Sequence, residues 1–209
     1  MRRRRTATSI LLPLALVTTV LSSCEGGVLT IRDEGSGVLV TETRDVGDFT
    51  SIEVSAALNL DLTVDPEASP SVNVTFDDNL IDNVLTRVEV DTLILEVEGS
   101  YNLIGSGDRR IAVSMTALES LEASGATDVE ISGEAPSYRL IVSGASDVDA
   151  EKLQAGDVEV EISGASSVDL AATGTVSGNI SGASNLRVYG EPASVLVDSS
   201  GASSVDIRN

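Results

Sequence analysis

Five copies of one six-residue motif, set at nearly constant intervals, restrict the folds open to this chain more than any other feature. Ser124-Gly125-Ala126-Thr127-Asp128-Val129 returns as Ser143-Gly144-Ala145-Ser146-Asp147-Val148 and as Ser163-Gly164-Ala165-Ser166-Ser167-Val168. It returns again as Ser181-Gly182-Ala183-Ser184-Asn185-Leu186 and Ser200-Gly201-Ala202-Ser203-Ser204-Val205, at spacings of 19, 20, 18 and 19 residues. A fixed period of this length is the mark of stacked structural repeats. Between the motifs apolar and polar residues alternate, as in Val158-Glu159-Val160-Glu161-Ile162 and Val205-Asp206-Ile207. That is the two-residue period of a strand with one face inward. A second glycine in each period, Gly133, Gly156, Gly174 or Gly190, supplies a further corner. Short strands and glycine corners predict an all-β fold: a parallel right-handed β-helix, a solenoid whose coils of about 19 residues stack through the C-terminal half. The nearest rival is a left-handed coil of hexapeptides, and the varying spacing without a six-residue subperiod argues against it.

Stacking accounts for the composition of the motif. Glycine admits the positive φ of a tight corner. The alanines 126, 145, 165, 183 and 202 are expected to form a column in which only a small side chain fits. Serines at the same corner can hydrogen-bond along the stack. An aromatic content of 2% suits a narrow interior filled by Val, Ile, Leu and Ala.

Residues 38–121 are strand-rich but less regular, with Ile52-Glu53-Val54, Val72-Asn73-Val74, Leu93-Ile94-Leu95 and Ile111-Ala112-Val113 as apolar segments. Gly99 to Arg110 reads as a polar loop. Nothing breaks like a linker, so residues 38–209 are read as a single solenoid domain whose first coils, with longer turns, cap one end.

The N-terminus is of another kind. Arg2 to Arg5 and the apolar Ile10 to Leu21 have the form of an export leader too short to span a bilayer. Leu21-Ser22-Ser23-Cys24 has the form of a lipobox, so residues 1–23 are read as a lipoprotein signal peptide, Cys24 as the lipidated residue and 24–37 as a tether. Lipidation would hold the protein to a membrane on its extracytoplasmic side, in a bacterial cell envelope. Glu25, where an Asp would favour inner-membrane retention, permits the outer membrane if the cell is Gram-negative. Beyond residue 23, nine Lys and Arg stand against 33 Asp and Glu, a net charge of −24 that excludes nucleic acid as a partner. With no His, no Trp and one Cys, a His/Cys zinc site, a Ser-His-Asp or Cys-His nucleophile and an internal disulfide are excluded as well.

The segment Arg44-Asp45-Val46-Gly47-Asp48-Phe49-Thr50-Ser51-Ile52-Glu53-Val54, then Phe76-Asp77-Asp78-Asn79-Leu80-Ile81, Thr92-Leu93-Ile94-Leu95 and the Ser-Gly-Ala-Ser-Asp-Val series, resembles the putative auto-transporter adhesin head GIN domain family over roughly residues 37–207. The resemblance implies a right-handed β-helical domain on bacterial envelope proteins, often lipoproteins, and brings no catalytic residues with it. The motif's Asp gives way to Ser167, Asn185 and Ser204 in the later copies, which argues against a role that needs Asp on every rung.

The column after each repeat valine reads Glu130, Asp149, Asp169, Arg187 and Asp206, with Asp128 and Asp147 beside its start. Like charges one rung apart repel, and calcium held by Asp128, Asp147 and Asp149 would offset that cost. The plainer reading is a solvated acidic face with no metal and no cofactor. Asp77-Asp78-Asn79 reads as a turn or helix cap, and Tyr101 with Arg109-Arg110 as the best exposed aromatic and basic contact candidate, in what is more plainly an ordinary loop. The function expected is therefore a non-enzymatic, lipid-anchored binding or structural module that displays a rigid surface to a protein or glycan. The alternative is a carbohydrate-active β-helix enzyme cleaving an acidic or envelope polysaccharide, with Asp128, Asp147 and Asp149 and nearby Lys152 or Arg139 as its candidates. An uncovered last coil predicts homo-oligomers formed through the C-terminal end of the solenoid.

Overall fold

The computed structural model describes residues 33–55, 57–103 and 107–208. Among these the protein is all-β, its only helical segment a 3-10 turn at Ile81–Asn83. The strands are β1 (Asp33–Glu34), β2 (Leu39–Arg44), β3 (Ser51–Val54), β4 (Asn59–Val64), β5 (Ser71–Asp77), β6 (Val84–Glu89), β7 (Thr92–Val97) and β8 (Tyr101–Asn102). They continue with β9 (Arg110–Met115), β10 (Ser120–Ala123), β11 (Asp128–Val142), β12 (Asp147–Ile162), β13 (Ser167–Ala172), β14 (Thr175–Ile180), β15 (Asn185–Tyr189), β16 (Ser194–Ser199) and β17 (Ser204–Arg208). β1 pairs with β8, and the other 15 form one sheet that nearly closes on itself around a single apolar core.

Most of that sheet is two stacks of parallel strands. One runs β7, β3, β10, the second half of β11, the second half of β12, β14 and β16. The other runs β9, β4, the first half of β11, the first half of β12, β13, β15 and β17. The repeats set the register: Asp128, Asp147, Ser167, Asn185 and Ser204 stand side by side on successive rungs, as the 19-residue period requires. Alternation does the rest. Val168, Leu170 and Ala172 of β13 are buried, as are Leu60, Leu62 and Val64 of β4. Removing each such Val or Leu from water contributes about 1.5–3 kcal/mol, which is why the inward set cannot slip by one residue.

The motif forms one corner of each rung from β10 onward. Paired residues that flank it are always five apart, from Ala123 to Asp128, Val142 to Asp147, Ile162 to Ser167 and Ile180 to Asn185. Its backbone continues the ladder: the amides of Ala145, Ala165, Ala183 and Ala202 donate to the carbonyls of Gly125, Gly144, Gly164 and Gly182 at 2.7–2.8 Å. Gly164 has φ +84, and a Cβ there would stand 2.2 Å from the Gly144 carbonyl oxygen. The alanines stack on successive rungs, and this turn points them outward, so all five are exposed. The buried small column is the next residue, Thr127, Ser146, Ser166 and Ser184. A hydroxyl can be buried there because it finds a carbonyl three residues back: Thr127 Oγ1 donates to Ser124 O at 2.7 Å, and Ser146 and Ser166 donate to Ser143 and Ser163 at 3.0 Å.

The second corner is less regular. Its glycines do not stack as one column: a Cβ on Gly156 would meet Pro136, whereas one on Gly174 would meet Gly156 and one on Gly190 would meet Ala172. The variation in repeat length collects here, since Ala150 to Ala155 of β12 lies against only Leu170 to Ala172 of β13.

The N-terminal region departs furthest from a purely parallel coil. β2 and β5, β5 and β9, and β6 and β7 pair antiparallel. The chain first lays down β3 and β4, next makes the layer of β7 and β9 on one side of them, and only then adds β10 on the other side. In the β3–β4 rung, Val54 and Asn59 take the places of Ala123 and Asp128, and buried Leu58 precedes Asn59 as Thr127 precedes Asp128 in the next rung.

Candidate functional site

The outer face of the second stack carries the predicted charge column. Asp61, Glu130, Asp149, Asp169, Arg187 and Asp206 follow one another in register, with Asn59, Asp128, Asp147, Ser167 and Asn185 as the neighbouring column. These two columns border a shallow groove of about 490 Å3 lined by Asp128, Glu130, Asp147, Asp149, Ser167 and Asp169. Basic residues answer the acids at the groove's margins. Arg110 reaches Asp61 at 2.7 Å, Arg187 Nη1 holds both oxygens of Asp169 at 3.0 and 3.1 Å, and Lys152 stands 3.9 Å from Glu130. Asp128, Asp147 and Asp149 form no ion pair among the described residues, and Asp149 Oδ1 accepts the Glu151 amide at 3.0 Å. These three are brought to adjacent rungs, yet no three acidic side chains among the described residues converge as a metal site. A ladder fixes this outcome: carboxylates one strand apart share a face but point side by side into solvent.

The first stack carries a second shallow groove of about 630 Å3, lined by Glu119, Ser137, Arg139, Asp157, Glu159, Thr175 and Ser177. Arg139 sits between Glu159 at 3.5 Å and Glu161 at 2.8 Å, so it braces two rungs. Asp157 accepts the Thr175 amide at 2.7 Å. Both grooves are walled by flat polar ladders.

A built polar cluster lies instead at the N-terminal end, where the Asp77-Asp78-Asn79 segment holds the incoming chain. Asp77 is wholly buried; its Oδ1 accepts the Gly37 amide at 2.7 Å and Arg109 Nη2 at 3.0 Å, and its Oδ2 accepts Arg109 Nε. Hydrogen bonding from Arg109 holds the Asp77 carboxyl below the usual carboxylate range, against the opposing effect of burial. Asn79 clasps the same chain, accepting the Ser36 amide at 2.9 Å and donating to the Glu34 carbonyl at 2.8 Å. Gly35 is needed because a Cβ there would stand 2.7 Å from Asp77 Oδ1. The turn expected here is present, since the Leu80 amide donates to Asp77 O at 2.9 Å, but the side chains serve as a clamp. Residues 33–37, read as the end of a tether, are thus fastened to the domain. Tyr101 is not the exposed aromatic expected: it packs half-buried against the core, and burial first of all raises its hydroxyl pKa. Arg109, weighed as an exposed basic contact in that loop, is only 9% exposed. Cys24 and the leader lie outside the described residues.

The model of the family described as putative auto-transporter adhesin, head GIN domain, matches residues 48–140 and 120–192. The chain belongs to this family. A solved structure, a putative adhesin from Bacteroides fragilis NCTC 9343, is 16% identical, with 84% of this chain and 99% of that one covered at a TM-score of 0.51. A putative adhesin from Parabacteroides merdae ATCC 43184 is 15% identical over 85% and 99% of the two chains, at a TM-score of 0.41. A putative lipid binding protein from Parabacteroides distasonis ATCC 8503 is 17% identical over 85% and 100%, at 0.40. The first likeness shows a shared fold. No curated protein matches the sequence.

Proposed function

We propose that this head GIN domain is a lipid-anchored, non-enzymatic binding module of the bacterial cell envelope, winding as a right-handed parallel β-helix and displaying its flat ladders to a protein or glycan partner. The observation that carries the reading is the register of the two outer columns: their carboxylates stand rung by rung along open faces and do not converge on a shared point. An enzyme that cleaves glycosidic bonds needs two carboxyl groups on either side of one bond, in a concavity that excludes water. A display surface needs rigidity, which the hydrogen-bonded corner supplies on successive rungs. Anchoring rests on the lipobox form of Leu21 to Cys24, and an anchored domain held at Asp77 and Asn79 would leave residues 25–32 as its lead.

Two measurements test this. Cells making the full chain are labelled with an alkynyl fatty acid beside a Cys24→Ser variant; label that vanishes in the variant supports the anchor, and absence of label in both overturns it. The full chain in detergent is then screened against envelope glycans and matrix proteins, with product analysis. Saturable binding without cleavage supports display, whereas cleavage lost on Asp147→Asn and Asp149→Asn would establish the enzyme reading instead.

A further inference from the structure

We infer that two copies of this chain dock through the edge formed by β16 and β17, their β17 strands running antiparallel about a twofold axis. Among the described residues β16 pairs only with β14 and β17 only with β15, so each has an outer edge of unsatisfied backbone groups. The same rung leaves the interior columns open. Val168 and Leu186 are buried where Val205 is only half-buried, and Leu170 and Val188 are buried where Ile207 is 49% exposed. Leu196, on the outward column of the same rung, is 65% exposed.

The backbone and the charges select the occupant. The Ser204 amide donates to Ser184 O at 3.0 Å, which commits the even-numbered residues of β17 to β15 and turns the N–H and C=O of Val205 and Ile207 outward. A second β17 laid antiparallel with Ile207 opposite Ile207 satisfies the N–H and C=O of Ile207 in both copies and keeps the apolar side chains on the inner face. In that register Asp206 lies opposite Arg208 of the second copy, and Arg208 opposite its Asp206. These residues already meet within one chain at 2.5 Å, so the interface joins two such pairs into a four-charge cluster. A register that places Asp206 opposite Asp206 brings like charges together and is disfavoured. A twofold contact is also closed, so it covers the edge without generating a filament.

The test uses the full chain in detergent. Sedimentation should show a concentration-dependent dimer. Asp206→Arg should weaken it about tenfold or more, and Asp206→Arg with Arg208→Asp should restore it, since the pairing is reciprocal. Ile207→Cys should form an intermolecular disulfide on mild oxidation, because residues paired this way have Cα atoms about 5.5 Å apart. Asp206→Cys should not exceed the parent chain, whose own Cys24 sets the background. A parent chain that stays monomeric, a dimer indifferent to Asp206→Arg, or an Asp206→Cys crosslink as efficient as that of Ile207→Cys would overturn the proposal.

Discussion

Arg109 and Asp77 form a bidentate ion pair inside the domain, and the same Asp77 carboxylate receives the Gly37 amide at 2.7 Å. One buried side chain thereby ties the loop before β9 to the segment that enters the fold. Asp77→Ala removes the buried counter-charge of Arg109 and the acceptor for Gly37. Loss of one partner of a buried pair costs about 3–5 kcal/mol. Urea unfolding should show that loss, and amide exchange should show faster opening of Gly37 than of Leu140 in the core.

The pair also sets a pH dependence. The folded-state pKa of Asp77 is lowered, chiefly by Arg109, relative to an unfolded value of about 3.9. The stability it contributes is therefore complete above the unfolded value and is lost as pH falls through the lower folded value. From neutrality to about pH 5 this group should change nothing; below about pH 4 the parent should lose stability more steeply than Asp77→Asn, which has no charge to lose. Urea midpoints for both chains across that range measure the difference.

At the motif corner, glycine and alanine should differ sharply in tolerance. Gly164→Ala forces a Cβ to 2.2 Å from the Gly144 carbonyl oxygen at a φ of +84. The left-handed backbone alone costs a non-glycine residue about 1–2 kcal/mol, and the backbone clash adds to it. Ala165→Ser, one residue on and exposed, should stay within about 0.5 kcal/mol of the parent. Comparable losses for both would mean that the alanine, too, is confined.

The difference between those neighbours shows where the sequence stops being informative. The 19-residue period placed Glu130, Asp149, Asp169, Arg187 and Asp206 in one column, and the register agrees. A period says which residues stack but not which way a turn residue points, so the exposure of Ala126 beside the burial of Thr127 is not legible in the repeat. The β3–β4 rung was hidden because Leu58 stands where the later copies carry a hydroxyl, and because β5 to β9 intervene before the next rung. Asp77 and Arg109 were each noticed, one in a turn and one in a loop. Their union depends on β5 pairing with β9, a long-range contact that no local pattern announces.

Tyr138 lies inward between Ser137 and Arg139, buried, with no hydrogen-bond partner for its hydroxyl among the described residues. Burial pushes its pKa well up, so the group stays neutral at physiological pH. An unsatisfied buried hydroxyl costs about 1–3 kcal/mol. Tyr138→Phe keeps the ring and removes that cost, so its melting temperature should equal or exceed the parent's. A drop of several degrees would show that the hydroxyl has a partner worth keeping.

The β6–β7 hairpin closes through Val90 and Asp91, since Glu89 pairs with Thr92. Val90 has φ +58, the only positive φ at a non-glycine among the described residues, and it is 93% exposed. A two-residue turn with positive φ at its first position favours glycine there, and a β-branched residue is strained by about 1–3 kcal/mol. The strain is tolerated because the turn is fixed from the other side: the Asp91 carbonyl accepts the amides of Thr50 and Ser51, both at 3.0 Å, at the start of β3. Val90→Gly should therefore relieve the turn without losing a packed side chain. After the entropy glycine gives up on folding, a net gain of about 1 kcal/mol remains, or about 2–4 °C in melting temperature for a domain of this size. A melting temperature that falls would place the Val90 side chain in a contact that the isolated chain does not show.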